Sequence, residues 1–379
     1  MKKIAVLVLN DFTNDARVIK EVRSLSKLFI VDVYAVNTGG YKKNEKFNDN
    51  TRIFREIKYN KPQNISLKKI RQLIVYLKFL TYSFFKLKKY DAVHCNDLET
   101  LPFGVIAKFF NKQLKIIYDA HEFETETLWM QNKTKKKIAK LMEGFLIERV
   151  DKTITVSNAI AEEYSNIYSI DKPVLILNTP GFKKVVNKDI FRDHFKVSKD
   201  KMIFLYQGGF TRGRGIEMLL ETFQEMKDEN NVIVFMGNGD LEELVIMASK
   251  QNKNIFYHKA VSQDVLLDYT SSADFGILFY ENNCLNHYYC SPNKMFEYIM
   301  AEIPVIASNL FEMKRLVEKN KIGVVAKENT AVGLQEAIQK AVKLDGNELL
   351  SNLKKVKKVY NWEEQEKKLL NFYSKLLHE

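Results

Sequence analysis

The sequence predicts an α/β protein built from two doubly wound parallel sheets, and three observations lead there. Short apolar runs of strand length alternate with amphipathic helical stretches along most of the 379 residues. The pattern breaks once, in the polar, turn-rich segment NTPGFKKVVNKDIFRDHF, and restarts after Gly181. The length suits two domains, 1–180 and 181–360, each large enough to bury a core, with a closing helix at 361–379.

Taken in order, MKKIAVLVLN starts with basic residues like a leader, but its apolar run 4–9 is short and ends in Asn10-Asp11. A buried first strand is expected there rather than a signal peptide. A helix follows over 15–28, then the strands VDVYAVN, DAVHCN, KIIYDA, KTITVS and PVLILN. The apolar stretch 73–85 is interrupted by Lys78, so no segment is expected to span a bilayer. In the second half the strands are MIFLYQGG, NVIVFMGNG, NIFYHKAV, ADFGILFY, IPVIAS and IGVVA, with a helix over 215–228 after the first of them. The terminal stretch NWEEQEKKLLNFYSKLL reads as one amphipathic helix, too polar to stand alone. Ligands of open α/β sheets bind at the carboxyl ends of the strands, so a cleft between the two halves is the expected site.

Composition narrows the partners. With 46% hydrophobic and 28% charged residues the chain is an ordinary globular one, and 59 Lys+Arg against 47 Asp+Glu leave a net charge of +12. That balance points to an anionic partner: a nucleic acid, a membrane surface or a phosphorylated small molecule. Cys95, Cys284 and Cys290 form no metal or disulfide spacing and read as packed or idle thiols in a reducing compartment. No Asp-x-Asp follows a strand and no His/Cys cluster stands out, so no metal site is expected.

Three stretches carry chemistry. LYQGGFTRGRGIEMLL runs from strand through a glycine-rich turn into a helix, where Gly208, Gly209, Gly213 and Gly215 let backbone approach a ligand. Arg212 and Arg214 inside that turn suit a diphosphate at a helix N-terminus; solvated arginines on a flexible turn are the competing reading. FMGNGD repeats the design with Gly237 and Gly239, and a mere tight turn explains it equally well. In CSPNKMFEYIMAEIPVIAS, Ser291 suits an N-cap and Pro292 the first helical position, ahead of Asn293. Lys294 is then a point charge for phosphate, and Glu297, on the same face, an acceptor for sugar hydroxyls. A surface Lys–Glu pair is the plainer alternative, but this helix is otherwise apolar and feeds a buried strand.

The order of these motifs resembles the C-terminal domain of the retaining GT-B glycosyltransferases, family 4. In the first half, NDARVIKEVRSLSK resembles that family's first loop and helix, VHCNDLETLPFG its cleft-facing strand end, and YDAHEFETE its Asp-x-His-Glu segment. YNWEEQEKKLLNFYSKLL resembles its closing helix. The likeness covers nearly the whole chain and implies a GT-B fold of two Rossmann-like domains and transfer of a hexose from a nucleotide-sugar, with no cofactor and no metal. It implies that Arg212, Arg214, Lys294 and His121 serve catalysis. It places Asp15, Arg17 and the glycines Gly208, Gly209, Gly237 and Gly239 around the donor. Tyr289, Ser291, Pro292 and Asn293 join them, and Glu297 grips the ribose. Tyr289 stands where the first of the family's two glutamates usually falls, and Gly208-Gly209 where an arginine usually does. Arg214 fits the usual lysine, and Arg212 replaces the missing cation. The acidic run Glu122, Glu124 and Glu126 argues that His121 lies on an exposed loop, and His94 and Asp97 sit at a strand end on the acceptor side. Retention would follow the family's front-face route, with the acceptor attacking on the side the diphosphate leaves.

For the acceptor, residues 66–89 have seven basic and no acidic residues among large apolar ones: Leu67, Ile70, Ile74, Leu77, Phe84 and Leu87, with Lys68, Lys69, Arg71 and Lys78 between them. NKTKKKIAKLMEGFLIERV adds a second basic helix. Such helices suit an anionic membrane surface, and a core helix with a solvated lysine edge is the rival. On the membrane reading the acceptor is a lipid-linked saccharide at the cytoplasmic face, in surface polysaccharide or glycoconjugate assembly. Two other functions fit parts of the pattern: a nucleotide-sugar 2-epimerase of the same fold, and a basic nucleic-acid-binding module. No recognition helix or aromatic-basic RNA motif supports the latter, so no nucleic-acid partner is expected.

Overall fold

The computed structural model describes residues 1–59, 65–186, 188–226, 228 and 230–378. Asn187 in the expected linker, Lys227 near the end of the expected helix 215–228, Glu379 and the side chain of Ser66 lie outside the described residues. The chain divides into two compact units, Met1–Ile176 together with the segment from Glu366 onward, and Leu177–Gln365.

The first unit contains β1 (Lys3–Leu7), α1 (Ala16–Leu25), β2 (Ile30–Asn37), β3 (Asn44–Asn48), β4 (Thr51–Lys58), α2 (Ile65–Leu87), β5 (Ala92–Asn96), α3 (Asp97–Phe110), β6 (Lys115–Ala120), α4 (Lys133–Ile147), β7 (Lys152–Thr155), α5 (Asn158–Tyr168) and β8 (Val174–Leu175). The strands lie in the order β3-β4-β2-β1-β5-β6-β7-β8, all parallel except β3 against β4. Central strands buried on both faces read as continuous apolar runs: Ile4 to Leu7 and Ala92 to Val93 are at most 1% exposed. Right-handed crossovers put α1, which leads from β1 to β2, on one face. They put α2, α3, α4 and α5, which lead the other way along the sheet, on the opposite face.

Helix α2 resolves the choice between core helix and surface helix by splitting it. Phe79 and Leu87 turn inward and are buried, and Phe84 is half-buried against the Phe110 ring of α3, centroids 4.9 Å apart. The expectation of an outward Phe84 and Leu87 is corrected. Leu67, Ile70, Ile74 and Leu77 do face outward. Where α4 passes β6 and α5, Glu143 is fully buried. It accepts hydrogen bonds from Tyr118 (2.7 Å), Tyr164 (2.7 Å) and Tyr168 (2.6 Å), which meet its need for partners and lock the three elements together.

The second unit contains α6 (Ile190–Phe195), β9 (Met202–Gly209), α7 (Ile216–Glu225), β10 (Asn231–Asn238), α8 (Glu242–Gln251), β11 (Ile255–Lys259), α9 (Gln263–Thr270), β12 (Phe275–Leu278), α10 (Leu285–Tyr289), α11 (Asn293–Met300), β13 (Val305–Ala307), α12 (Phe311–Asn320), β14 (Gly323–Val325), α13 (Ala331–Ala341) and α14 (Gly346–Val356). Its six strands run β11-β10-β9-β12-β13-β14, all parallel. Phe204, Tyr206, Phe210, Phe235 and Phe279 fill the core beside the carboxyl end of β9. The last helix, α15 (Trp362–His378), starts within the second unit and ends within the first. There Glu366 accepts from Ser24 of α1 (2.6 Å) and pairs with Lys27 (2.7 Å).

Candidate active site

In the second unit, β9 ends in a turn that returns to α7 through three left-handed glycines: Gly208 (φ 114°), Gly213 (φ 84°) and Gly215 (φ 73°). A Cβ on Gly215 would stand 2.0 Å from the carbonyl oxygen of Phe279, so no other residue fits this helix start. Gly237 and Gly239 have a packing reason. A Cβ on Gly237 would meet Gly208 O at 1.9 Å, and one on Gly239 would meet Phe210 O at 2.6 Å. The FMGNGD turn thus braces the first glycine turn. Gly208 and Gly209 differ, since a Cβ there would come no nearer than 3.6 Å to any atom outside their own segment.

Lys294 comes up beneath this turn from α11. Its side chain is buried, and its Nζ lies 3.8 Å from the centroid of the Tyr206 ring and 5.4 Å from that of Tyr280. No hydrogen-bond acceptor reaches the nitrogen among the described residues. Burial, reinforced by the nearby Arg214, pushes the lysine pKa well below its ordinary range, with Glu297 and Cys290 pulling the other way. The two rings offset part of the missing partner through cation–π contact. Arg214 is half-buried, its guanidinium 5.7 Å from the Tyr280 centroid, and Arg212 is exposed. Three basic side chains therefore belong to one glycine turn and the helix beside it.

Glu297 is half-buried and accepts from Gln207 Nε2 at 2.5 Å, while Gln207 Oε1 accepts from Thr270 at 2.8 Å. Gln207 is 1% exposed, so the carboxylate is aimed by a buried amide held in turn by a buried hydroxyl. The capping expectation at this helix needs correction. Helix α11 begins at Asn293 with Pro292 as an extended N-cap residue that has no side-chain cap. Ser291 is drawn away because its hydroxyl hydrogen-bonds the buried carboxylate of Glu312 at 3.4 Å. Tyr289 ends α10 half-buried, with its ring 5.7 Å from that of Phe311.

In the first unit the charged groups gather at the carboxyl ends of β5 and β6. His121 follows β6, with Nδ1 3.3 Å from Asp97 and Nε2 3.1 Å from Asn96 Oδ1 and 3.3 Å from Asp119. Burial alone would lower its pKa. The carboxylates of Asp97 and Asp119 outweigh burial and raise it to about 9, so the imidazole is a cation at neutral pH. Asp119 is fully buried. Burial would raise its pKa, but Arg17 and His121 hold it well below the usual carboxylate range.

Arg17 is committed inward: it grips Asp119 through Nε (3.1 Å) and Nη2 (2.8 Å), donates to Ile176 O (2.8 Å) and lies 3.1 Å from Glu21. These contacts fix Asp119, which in turn holds His121. Asp15 caps α1, accepting from Val18 N at 3.2 Å. Sequence reasoning missed Glu21 and Tyr373. Burial pushes the Glu21 carboxyl up to about 7 against the pull of Arg17, and Tyr373 of α15 bonds His94 Nδ1 at 2.5 Å. Glu21, His94 and Asp119 bring ligand-type atoms within 4.8 Å of one another, but the Arg17 guanidinium already pairs with both carboxylates as their cation. The expected exposed acidic loop is also corrected. Glu124 is half-buried, and Glu126 is buried and ion-paired with Lys136 and Lys140, because two short 3-10 turns fold the segment back against α4.

Residues 17–179 match the model of Glycosyltransferase Family 4, and residues 221–373 that of the Glucosyltransferase 3-like C-terminal domain. An uncharacterised glycosyltransferase of Methanocaldococcus jannaschii is 23% identical over 306 residues, 75% of each chain. Among solved structures, a sucrose-phosphate synthase from Thermosynechococcus elongatus superposes with a TM-score of 0.80 at 18% identity, covering 100% of both chains. HepE of Anabaena in complex with UDP-glucose gives 0.71 at 14% identity, over 99% of this chain and 100% of that one. A trehalose-6-phosphate protein of E. coli bound to UDP-2-fluoro glucose gives 0.73 at 9% identity, over 99% of each.

Proposed function

Because this chain is a GT-B glycosyltransferase whose first half matches family 4, we propose that it is a retaining, metal-independent hexosyltransferase that uses a nucleotide-sugar donor and acts on a lipid-linked saccharide. The observation that carries the donor side is Lys294, a buried nitrogen without a hydrogen-bond partner under the glycine turn. A diphosphate oxygen supplies the missing acceptor, with Arg214 and Arg212 and the N-terminus of α7 on the same anion. As the glycosidic bond to phosphate breaks, negative charge grows on the leaving diphosphate, and these fixed cations stabilise it without reorganising. Glu297, aimed by Gln207, accepts from the ribose hydroxyls. His121, held as a cation by Asp97 and Asp119, donates to the donor's sugar or phosphate. Retention then follows from attack on the face the diphosphate leaves.

The HepE and E. coli complexes carry UDP-glucose and a fluoro analogue, which makes UDP-hexoses the first donors to try. For the acceptor, the basic α2 and α4 support a lipid-linked saccharide, in surface polysaccharide or glycoconjugate assembly on the cytoplasmic side of a membrane. The test is a panel of nucleotide-sugars scored by thermal stabilisation, followed by turnover of Arg212→Ala and Arg214→Ala with the best donor. Loss of kcat at saturating donor, with the fold intact, is expected. Normal turnover in both variants, or interconversion of the donor sugar with no acceptor present, refutes the reading.

A further inference from the structure

The side-by-side helices of the first unit expose more apolar surface than a solvated face needs. On α2, Leu67, Ile70, Leu73, Ile74 and Leu77 are 46 to 59% exposed, although Phe79 and Leu87 of the same helix are buried beneath them. At 100° per residue the exposed set centres on the side of the helix opposite the buried set, and Lys68, Arg71 and Lys78 line one flank between them. Helix α4 repeats the arrangement: Ile138, Leu141 and Phe145 are 59 to 66% exposed, with Lys135 and Lys137 at the margins. Two large rings extend the surface, Phe109 at the end of α3 (81% exposed) and Trp129 just before α4 (86%).

We infer that these outward faces of α2 and α4, with Phe109 and Trp129, seat the first unit in the headgroup boundary of an anionic bilayer. Charge selects this occupant. Helix α2 has no acidic residue, and the one acid of α4, Glu143, is buried among tyrosines, so both faces offer only cations beside their apolar groups. A second copy docked by a two-fold axis would set lysine flank against lysine flank. Anionic headgroups over an acyl interior match both the cations and the apolar side chains, and an exposed tryptophan at the rim suits that boundary. No described helix is long and apolar enough to cross a membrane, so the surface lies on the bilayer.

Position gives the surface a use. A helix that follows a parallel strand starts at the carboxyl end of the sheet, so the first turns of α2 and the Trp129 segment lie at the end that carries Asp97 and His121. A saccharide on a membrane lipid is thereby offered to the end of the unit where those groups stand. This use rests on the proposed lipid-linked acceptor, whereas the surface itself does not.

The test is sedimentation of the full chain with vesicles of phosphatidylcholine alone or mixed with phosphatidylglycerol, together with tryptophan emission. Trp362 is 8% exposed, so changes in emission report Trp129. At least tenfold tighter binding to the mixed vesicles, a blue shift and quenching by brominated lipid are expected. Leu73→Asp and Leu141→Asp should each abolish binding while thermal stabilisation by the nucleotide-sugar persists. Failure to sediment overturns the proposal. Sedimentation that salt removes entirely, with no change in Trp129 emission, overturns it in favour of simple electrostatic contact. A concentration-dependent dimer dispersed by Leu141→Asp overturns it in favour of a second copy. Vesicle binding by an enzyme that transfers only to soluble saccharides supports the surface and refutes the lipid-linked acceptor alone.

Discussion

Replacing His121 by Gln should destabilise the first unit in a way that depends on pH. In the native protein the imidazole sits 3.3 Å from both Asp97 and Asp119, and its pKa is raised from 6.5 to about 9. A group bound more tightly as the cation in the folded state contributes its full stability below its unfolded pKa. It loses that contribution as pH rises through the folded pKa. Tenfold tighter proton binding is worth about 1.4 kcal/mol, so the contribution is roughly 3 kcal/mol below pH 6.5, roughly 2.5 at pH 7 and almost nothing at pH 10. Glu21, pushed up to about 7 and partly held down by His121, titrates at the lower edge of this range, so the histidine is read from pH 8 to 10. Urea unfolding followed by circular dichroism at each pH, read on the transition that the substitution moves, gives the difference. It should shrink steadily towards pH 10. A difference independent of pH, or an imidazole NMR titration with its midpoint at 6.5, would refute the charge assignment.

Three more outcomes follow from the packing and the donor side. Glu297→Gln should weaken nucleotide-sugar binding by roughly 1.5–3 kcal/mol through loss of charge-assisted bonds, and Gln207→Leu should shift it the same way by less; calorimetry that finds both unchanged refutes the ribose contact. Glu143→Leu leaves two buried tyrosine hydroxyls and the half-buried one of Tyr168 without their acceptor and should cost more than ~3 kcal/mol in urea unfolding, with Glu143→Gln milder; a loss below ~1 kcal/mol counts against the cluster. Gly215→Ala places a Cβ 2.0 Å from Phe279 O at φ 73° and should lower stability by at least ~2 kcal/mol, whereas Gly209→Ala, whose Cβ meets nothing nearer than 3.8 Å, should leave the unfolding curve nearly in place.

The parallel strands were legible because strands buried on both faces leave unbroken apolar runs. KIIYDA and MIFLYQGG coincide with β6 and β9 residue for residue. The polar edge strand NEKFN has no such run and pairs only on one side, so it went unseen. Local motifs also placed Lys294 next to the glycine turn, since strand-turn-helix geometry is short-range. What no local pattern conveys is partnership across distance. Arg17 and Asp119 are 102 residues apart, and Glu143 finds its tyrosines on two other elements, β6 and α5. Ser291 illustrates the opposite failure. Its local cap signal was clear, but a buried carboxylate on α12 took its hydroxyl.

The unpartnered nitrogen of Lys294 bears on what happens after transfer. Its desolvation is already met when the protein folds, so whichever ligand first brings a phosphate oxygen gains the full benefit of pairing with it. On the proposed function that benefit goes to the departing nucleoside diphosphate as well as to the donor, because the product keeps the same oxygens and carries more negative charge. An enzyme built this way holds its spent nucleotide firmly and is inhibited by it at low concentration. Its turnover is then paced by release of the nucleoside diphosphate, and a phosphatase that destroys this product would speed the reaction without touching the chemistry.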